Sequence, residues 1–128
     1  MARSRFENLE VYQLSEKVAD LAWDIVQSWE SLARDTVGKQ LIRAADSVGA
    51  NIAEGEGRGS WQDNRRFVRI ARGSLSETKH WLRRAFNRKL LTEPQIATLK
   101  PLLDELAPRL NAYLKSIGKS PQPPTPHH

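Results

Sequence analysis

Apolar residues recur at spacings of three and four along most of the chain, which is the pattern of amphipathic helices. The first such stretch predicts a helix over about residues 9–31, and Tyr12, Ala19 and Trp23 widen its apolar face. So wide a face indicates burial on two sides. No segment shows the alternation of apolar and polar residues that marks a half-buried strand, so the chain is predicted to be all-α.

A second helix is predicted over about residues 36–54, with Asp35 as its N-cap and the glycine-rich stretch 55–59 as its end. Ser60 then opens a third helix, because the sequence Ser-Trp-Gln-Asp that begins there has the form of a capping box. This third helix is predicted to run to about residue 89.

A fourth helix is predicted to follow the cap residue Thr92. Pro101 and Pro108 lie inside it, and each disfavours an unbroken helix by about 3 kcal/mol, so a kink or a break is expected. Short connections make successive helices antiparallel, which predicts an up-and-down four-helix bundle over residues 1–118. The Pro-rich segment 119–128 is expected to be a disordered tail.

The composition of the chain excludes several classes of function but does not identify one. A chain of 128 residues supports one domain, and the absence of cysteine excludes disulfides, thiolate metal sites and cysteine nucleophiles. Neither a membrane span nor a secretory signal is evident, so a cytoplasmic location is expected. Lone His80 is interpreted as a basic-face or hydrogen-bonded residue and not as a metal ligand, and His127 and His128 do not support a metal site. Because the sequence shows neither a nucleophile–base pair nor a cofactor-binding loop, we predict a protein without catalytic residues, cofactor or metal.

Charge is strongly polarised along the chain. Residues 6–33 carry one lysine against six acids, a net of −5, whereas residues 58–90 carry ten Lys or Arg against two acids, a net of +8. At about 100° per residue, most of these cations share one side of the third helix. Phosphate backbones are the commonest partner of such a surface, and the candidate nucleic-acid contacts are Arg58, Arg65, Arg66, Arg69, Arg72, Lys79, Arg83 and Arg84. Salt bridges to the acidic first helix, within the molecule or across a subunit interface, are the alternative.

A polar line along the second helix is a further candidate feature. It is interpreted as a buried structural network rather than a catalytic site, because it lacks an activated nucleophile. Glu77 of the third helix is the candidate partner of Arg43. Gly73 and Ser74 in the third helix are interpreted as packing residues, since glycine mid-helix is unfavourable by about 1 kcal/mol unless a neighbour approaches closely. The predicted network consists of Gln40, Arg43, Ser47, Asn51, Glu54 and Glu77.

Several of these motifs together resemble the 23S rRNA intervening-sequence protein family of bacterial four-helix bundle proteins, over about residues 6–116. The resemblance implies a homopentameric ring without enzymatic activity. It also implies kinship with the accessory variability determinant proteins of diversity-generating retroelements, whose pentamers present basic surfaces to a reverse transcriptase and nucleic acid. The motifs are Phe6-Glu7-Asn8-Leu9-Glu10-Val11-Tyr12, Arg43-Ala44-Ala45, Asn51-Ile52-Ala53-Glu54-Gly55, Arg58 and the segment from Arg66 to Glu77 with its Gly73-Ser74.

Two functional hypotheses remain open at the level of sequence. The first is an oligomeric accessory protein that binds RNA or DNA backbone through the basic third helix, with a reverse transcriptase as a candidate partner. The alternative is a protein–protein interaction scaffold that binds an acidic protein through the same face, or through Trp23, Trp29 and Trp61, and does not contact nucleic acid.

Overall fold

The computed structural model describes residues 6–119, and no strand occurs in that range. A short 3₁₀ turn, Phe6–Asn8, leads into α1. The predicted tail lies almost wholly outside the described residues. The four long helices are α1 (Glu10–Gln27), α2 (Lys39–Gly57), α3 (Trp61–Asn87) and α4 (Glu93–Ser116).

The four helices form a bundle in which each packs against two others. α1 packs against α2 and α4, and α3 packs against the same two helices, so α1 and α3 lie diagonally opposite each other. Successive helices run antiparallel: Ser15, early in α1, lies against Gly49, late in α2, whereas Val26, late in α1, lies against Gly38, just before α2. The diagonal arrangement separates the most acidic helix from the most basic one.

The core follows the apolar faces that the sequence pattern predicts. Side chains from all four helices meet along the bundle axis, and Ile52, Leu106 and Leu110 are fully buried at 0% exposure. Burying an aliphatic side chain of this size stabilises the fold by about 1.5–3 kcal/mol. Burial of these side chains is therefore a main source of the stability of the bundle.

The connection between α1 and α2 differs from the prediction. α1 ends at Gln27, because Trp29 turns into the core and its indole Nε1 donates a hydrogen bond to the Leu90 carbonyl at 3.0 Å. Helical structure resumes at Ser31–Ala33 and passes through a wider π-helical turn, Arg34–Gly38, directly into α2. The predicted N-cap Asp35 is therefore wrong, since it lies inside this helical stretch.

The glycine-rich stretch 55–59 ends α2, as the sequence predicts, but Gly55 itself lies inside the helix. The helix continues to Gly57, and Gly55 is buried because α3 approaches it closely: a Cβ atom there would lie 2.7 Å from Asn64 Oδ1 and 3.0 Å from Phe67 Cβ. The chain instead reverses at Gly59, whose φ of 92° is readily adopted only by glycine.

Both predicted N-caps of the later helices are confirmed. The Ser60 hydroxyl accepts a hydrogen bond from the Asp63 amide at 3.1 Å. Thr92 and Gln95 form a reciprocal capping box, with bonds of 3.3 and 2.9 Å. α4 runs unbroken through Pro101 and Pro108, so the predicted break does not occur, whereas a kink stays a prediction. Both prolines are exposed, which leaves the carbonyls that lose a partner close to water.

Candidate nucleic-acid interface

The basic face of α3 is the side of the helix that points away from the bundle. Val68, Ala71 and Leu75 are buried on the inner side at spacings of three and four, so the residues between them face outward. Arg69, Arg72, Lys79 and Arg83 are exposed, and Arg65 and Arg84 are half-buried. The candidate arginines and lysine thus belong to one continuous surface.

Four of these cations have neither a carboxylate partner nor a side-chain hydrogen bond among the described residues. The ion pairs and side-chain hydrogen bonds within residues 6–119 involve none of Arg69, Lys79, Arg83 and Arg84. A row of uncompensated cations repels itself and attracts polyanions, because no protein acid neutralises it. This part of the face therefore carries positive charge that no carboxylate among residues 6–119 compensates.

Arg65 and Arg72 connect α3 to α4. The Arg65 guanidinium donates through Nη1 to the Ile117 carbonyl at 2.9 Å, at the end of α4 where carbonyls lack intrahelical partners. Arg72 donates through Nη1 to Asn111 Oδ1 at 3.3 Å. Because both acceptors are neutral, these two arginines keep their full charge while being held in position.

Arg58 and Arg66 form a separate cluster at the start of α3. Both approach Asp63, at 3.9 and 3.6 Å, and both guanidinium carbons lie over the Phe67 ring, at 5.3 and 4.5 Å from its centroid. Cation–π contacts of this kind contribute about 0.5–1 kcal/mol at exposed sites. Asp63 compensates part of this charge, so these two arginines are weaker candidates than the row further along α3.

The alternative prediction, that acids of α1 form salt bridges with this face within one molecule, is wrong. α1 and α3 are diagonal in the bundle, and no ion pair joins them within the described chain. The interhelical ion pair made by α1 instead joins Glu10 to Arg109 of α4. Salt bridges across a subunit interface stay a prediction.

Gly73 is not a packing residue. A Cβ atom at Gly73 would have no neighbour within 4 Å, and the residue is exposed on the basic face between Arg72 and Ser76. The close helix approach belongs to Gly55, as described above. Gly73 leaves α3 without a side chain at this point of the basic face.

The predicted polar network does not form within residues 6–119. Ser47 Oγ donates to the Arg43 carbonyl at 2.7 Å and Asn51 Nδ2 to the Ser47 carbonyl at 2.8 Å, so these side chains bond to their own helix. Glu77 accepts from Trp81 Nε1 at 3.3 Å and makes no ion pair with Arg43. Gln40 is half-buried and Glu54 is exposed. The polar residues along α2 therefore do not form the buried network that was predicted within one chain.

A negative region on α1 and α2 lies away from the basic face. Glu16, Asp20 and Asp46 line a cleft between the two helices, and Asp46 escaped the sequence analysis because nothing local marks it. Burial, followed by the nearby charge of Asp20, raises the pKa of Asp46. Burial, followed by the charge of Glu16, raises the pKa of Tyr12. The structure thus confirms that the molecule is electrostatically polarised in space as well as in sequence.

Residues 6–119 contain neither a metal-binding cluster nor a membrane-spanning helix. Within residues 6–119, no three His, Asp or Glu side chains gather in a way that could hold a metal ion. None of the helices in that range is both long and apolar enough to cross a bilayer.

Comparisons with known proteins agree with this architecture. The chain resembles a solved structure from Bacteroides thetaiotaomicron VPI-5482, described as a protein of unknown function from the S23 ribosomal protein family, with 25% sequence identity and a TM-score of 0.72. The match covers 82% of this chain and 98% of that one. Comparison with curated proteins finds no match. The family model of the 23S rRNA-intervening sequence protein matches residues 7–112, and the chain belongs to that family.

Proposed function

We propose that this chain is a non-enzymatic, oligomeric accessory protein that binds the backbone of RNA or DNA through the basic face of α3. The observation that carries the proposal is the row of exposed or half-buried cations without an ion pair in the described chain. Arg69, Lys79, Arg83 and Arg84 make no ion pair there, and the acidic helix α1 lies diagonally away. Phosphates are the partner that such a row fits best.

The geometry favours backbone contact over base readout. Arg69 and Arg83 are fourteen residues apart, which is about 21 Å along a helix axis at about 1.5 Å per residue. That distance spans about six phosphates of one strand at about 3.4 Å each. Arginines that contact phosphates position a nucleic acid without reading its sequence. The expected binding is therefore strong at low salt and weakly sequence-specific.

The working form is proposed to be a homopentameric ring in the bacterial cytoplasm, which the family resemblance supports. A ring multiplies the basic face, and repeated sites on one polyanion bind far more tightly than a single site does. A reverse transcriptase of a diversity-generating retroelement is the candidate protein partner, on the same resemblance. Sedimentation of the full chain tests the ring, and co-purification with such an enzyme after nuclease treatment tests the partner.

Fluorescence anisotropy with labelled single-stranded RNA and duplex DNA tests the nucleic-acid proposal. The informative variant is Arg69→Gln/Arg84→Gln, because both residues lack an ion pair in the described chain. Each lost phosphate contact lowers affinity about eightfold at about 0.1 M salt, so the double variant should bind about 60-fold more weakly.

The matched control is Arg109→Gln, which also removes an arginine but one held by Glu10 and Glu105 away from α3. It should bind as the unmodified chain does. Equal affinities for all three proteins would overturn the proposal and leave the protein-scaffold alternative.

A further inference from the structure

Trp23 differs from the other tryptophans of the chain. Trp29 is 8% exposed and bonded to the Leu90 carbonyl, Trp81 donates to Glu77, and Trp61 packs on the core. Trp23, on α1, is 52% exposed, and its indole makes no hydrogen bond or ring contact within the described residues. It is therefore the tryptophan of this chain available for a contact with another molecule.

Acidic residues precede Trp23 on the same side of α1. Asp20 lies one turn before Trp23 and Glu16 two turns before, and both are exposed on the same side of α1. Asp46 of α2 adds a third carboxylate at the cleft that Glu16 and Asp20 line. An aromatic group flanked by carboxylates fits an apolar site with a cationic edge.

A groove of that kind lies between α3 and α4. Its volume is about 350 Å³, and Phe86 on its wall is 57% exposed. The cations at its edge are Lys79 and Arg83, which have no ion pair in the described chain, and Lys100, which pairs with Asp104 at 3.3 Å. The apolar lining consists of Leu82, Phe86, Leu91, Ile96, Leu99 and Leu103.

Neither end of the chain matches this groove chemically. Residues 1–5 include Arg3 and Arg5 and no acid, and residues 120–128 contain no acid and no large apolar residue. Trp23 combines a large apolar side chain with nearby carboxylates. However, it cannot reach the groove between α3 and α4 of the same copy. Tyr12, which lies about 20° from Trp23 around α1, faces α2. Trp23 therefore lies on the α1–α2 side of the bundle, opposite the groove between α3 and α4.

We propose that Trp23 of one copy inserts into the groove between α3 and α4 of a second copy, with Asp20 and Glu16 facing Lys79 and Arg83. This inference deepens the proposed oligomeric function and rests on it. Because the two surfaces lie on opposite sides of the bundle, two copies cannot insert into each other at once. The contact is heterologous, so copies add head to tail until a ring closes. In the assembled ring Lys79 and Arg83 then serve the contact between copies and no longer contact phosphates, whereas Arg69, Arg72 and Arg84 stay available for nucleic acid.

Sedimentation velocity of the full chain, without nucleic acid, tests this contact. Trp23→Ala removes the indole, and Lys79→Glu/Arg83→Glu reverses the charge at the groove edge. Each variant alone should assemble about 30-fold more weakly or worse, as expected when a central tryptophan or a charge pair is lost. Leu32→Ala is the matched control, because Leu32 is 80% exposed on another part of the surface, and it should assemble normally.

A mixture of the two variants tests the proposed contact most specifically, because each variant retains one half of it. Trp23→Ala keeps an intact groove, and Lys79→Glu/Arg83→Glu keeps an intact Trp23, so an equimolar mixture should form a heterodimer that cannot grow further. Circular dichroism of each variant establishes that it is folded. A wild-type chain that stays monomeric, a Trp23→Ala variant that assembles normally, or a mixture that stays monomeric would overturn the contact. Anisotropy with Arg69→Gln/Arg84→Gln reports on nucleic-acid binding separately.

Discussion

Two glycines in neighbouring helices give a prediction that isolates the packing of α2 against α3. Gly55→Ala places a Cβ atom 2.7 Å from Asn64 Oδ1, 3.0 Å from Phe67 Cβ and 3.1 Å from the Asn64 carbonyl oxygen. Two of these neighbours belong to backbone or to a Cβ atom, which cannot rotate away. Gly73→Ala, in contrast, has nothing within 4 Å of the new atom.

The magnitudes follow from two opposing effects. Both substitutions gain about 1 kcal/mol of helix propensity, since both glycines lie inside helices. Gly55→Ala also loses about 1–3 kcal/mol to overpacking. Gly73→Ala should therefore stabilise the fold by about 1 kcal/mol, and the difference between the two variants should equal the overpacking loss of about 1–3 kcal/mol.

Urea unfolding followed by circular dichroism measures this difference. All proteins are compared at one chain concentration, because assembly makes apparent stability depend on concentration. Equal free energies of unfolding for the two variants would refute the close approach of α2 and α3 at Gly55. A destabilising Gly73→Ala would refute the exposed position of Gly73.

Two further predictions concern the cap of α4 and the negative region. Thr92→Ala should lower the free energy of unfolding by about 1 kcal/mol, because it removes the hydroxyl that accepts from the Gln95 amide; an unchanged urea midpoint would contradict the capping box. Asp46→Asn should raise the melting temperature at pH 7. The pKa of Asp46 is raised in the folded state by burial and then by Asp20, so this carboxyl favours the fold below its unfolded pKa and loses that contribution as pH rises through its folded pKa. The higher melting temperature of Asp46→Asn should disappear below about pH 4. A melting-temperature difference that persists below that pH would contradict ionisation of Asp46 as its cause.

The features that the sequence predicted correctly are those that depend on residues close together in the chain. Apolar spacing gave the four helices, and the hydroxyls of Ser60 and Thr92 marked two N-termini, because a cap bonds to amides only a few residues away. The polarised charge was equally visible, since each helix carries its own charges. Asp35 failed as a cap because Trp29 is drawn into the core and bonds to Leu90, a contact between distant parts of the chain.

The errors in the candidate site share one cause. Whether a glycine faces a neighbouring helix or solvent depends on how the helices are rotated in the bundle, so the close helix approach that was expected at Gly73 occurs at Gly55 instead. The polar line of α2 was expected to meet Glu77, yet Glu77 bonds to Trp81 on its own helix. Pairing between helices requires the tertiary arrangement, which periodicity does not encode.

The most direct test of the central claim is the salt dependence of binding to duplex DNA. Arg69, Arg72 and Arg84 lie outside the groove edge and have no carboxylate partner in the described chain. Release of about 0.9 counterion per neutralised phosphate predicts that log Kobs falls against log salt with a slope of about −2.7 or steeper. No binding at low salt, or a slope near zero, would contradict a basic face that works on phosphates.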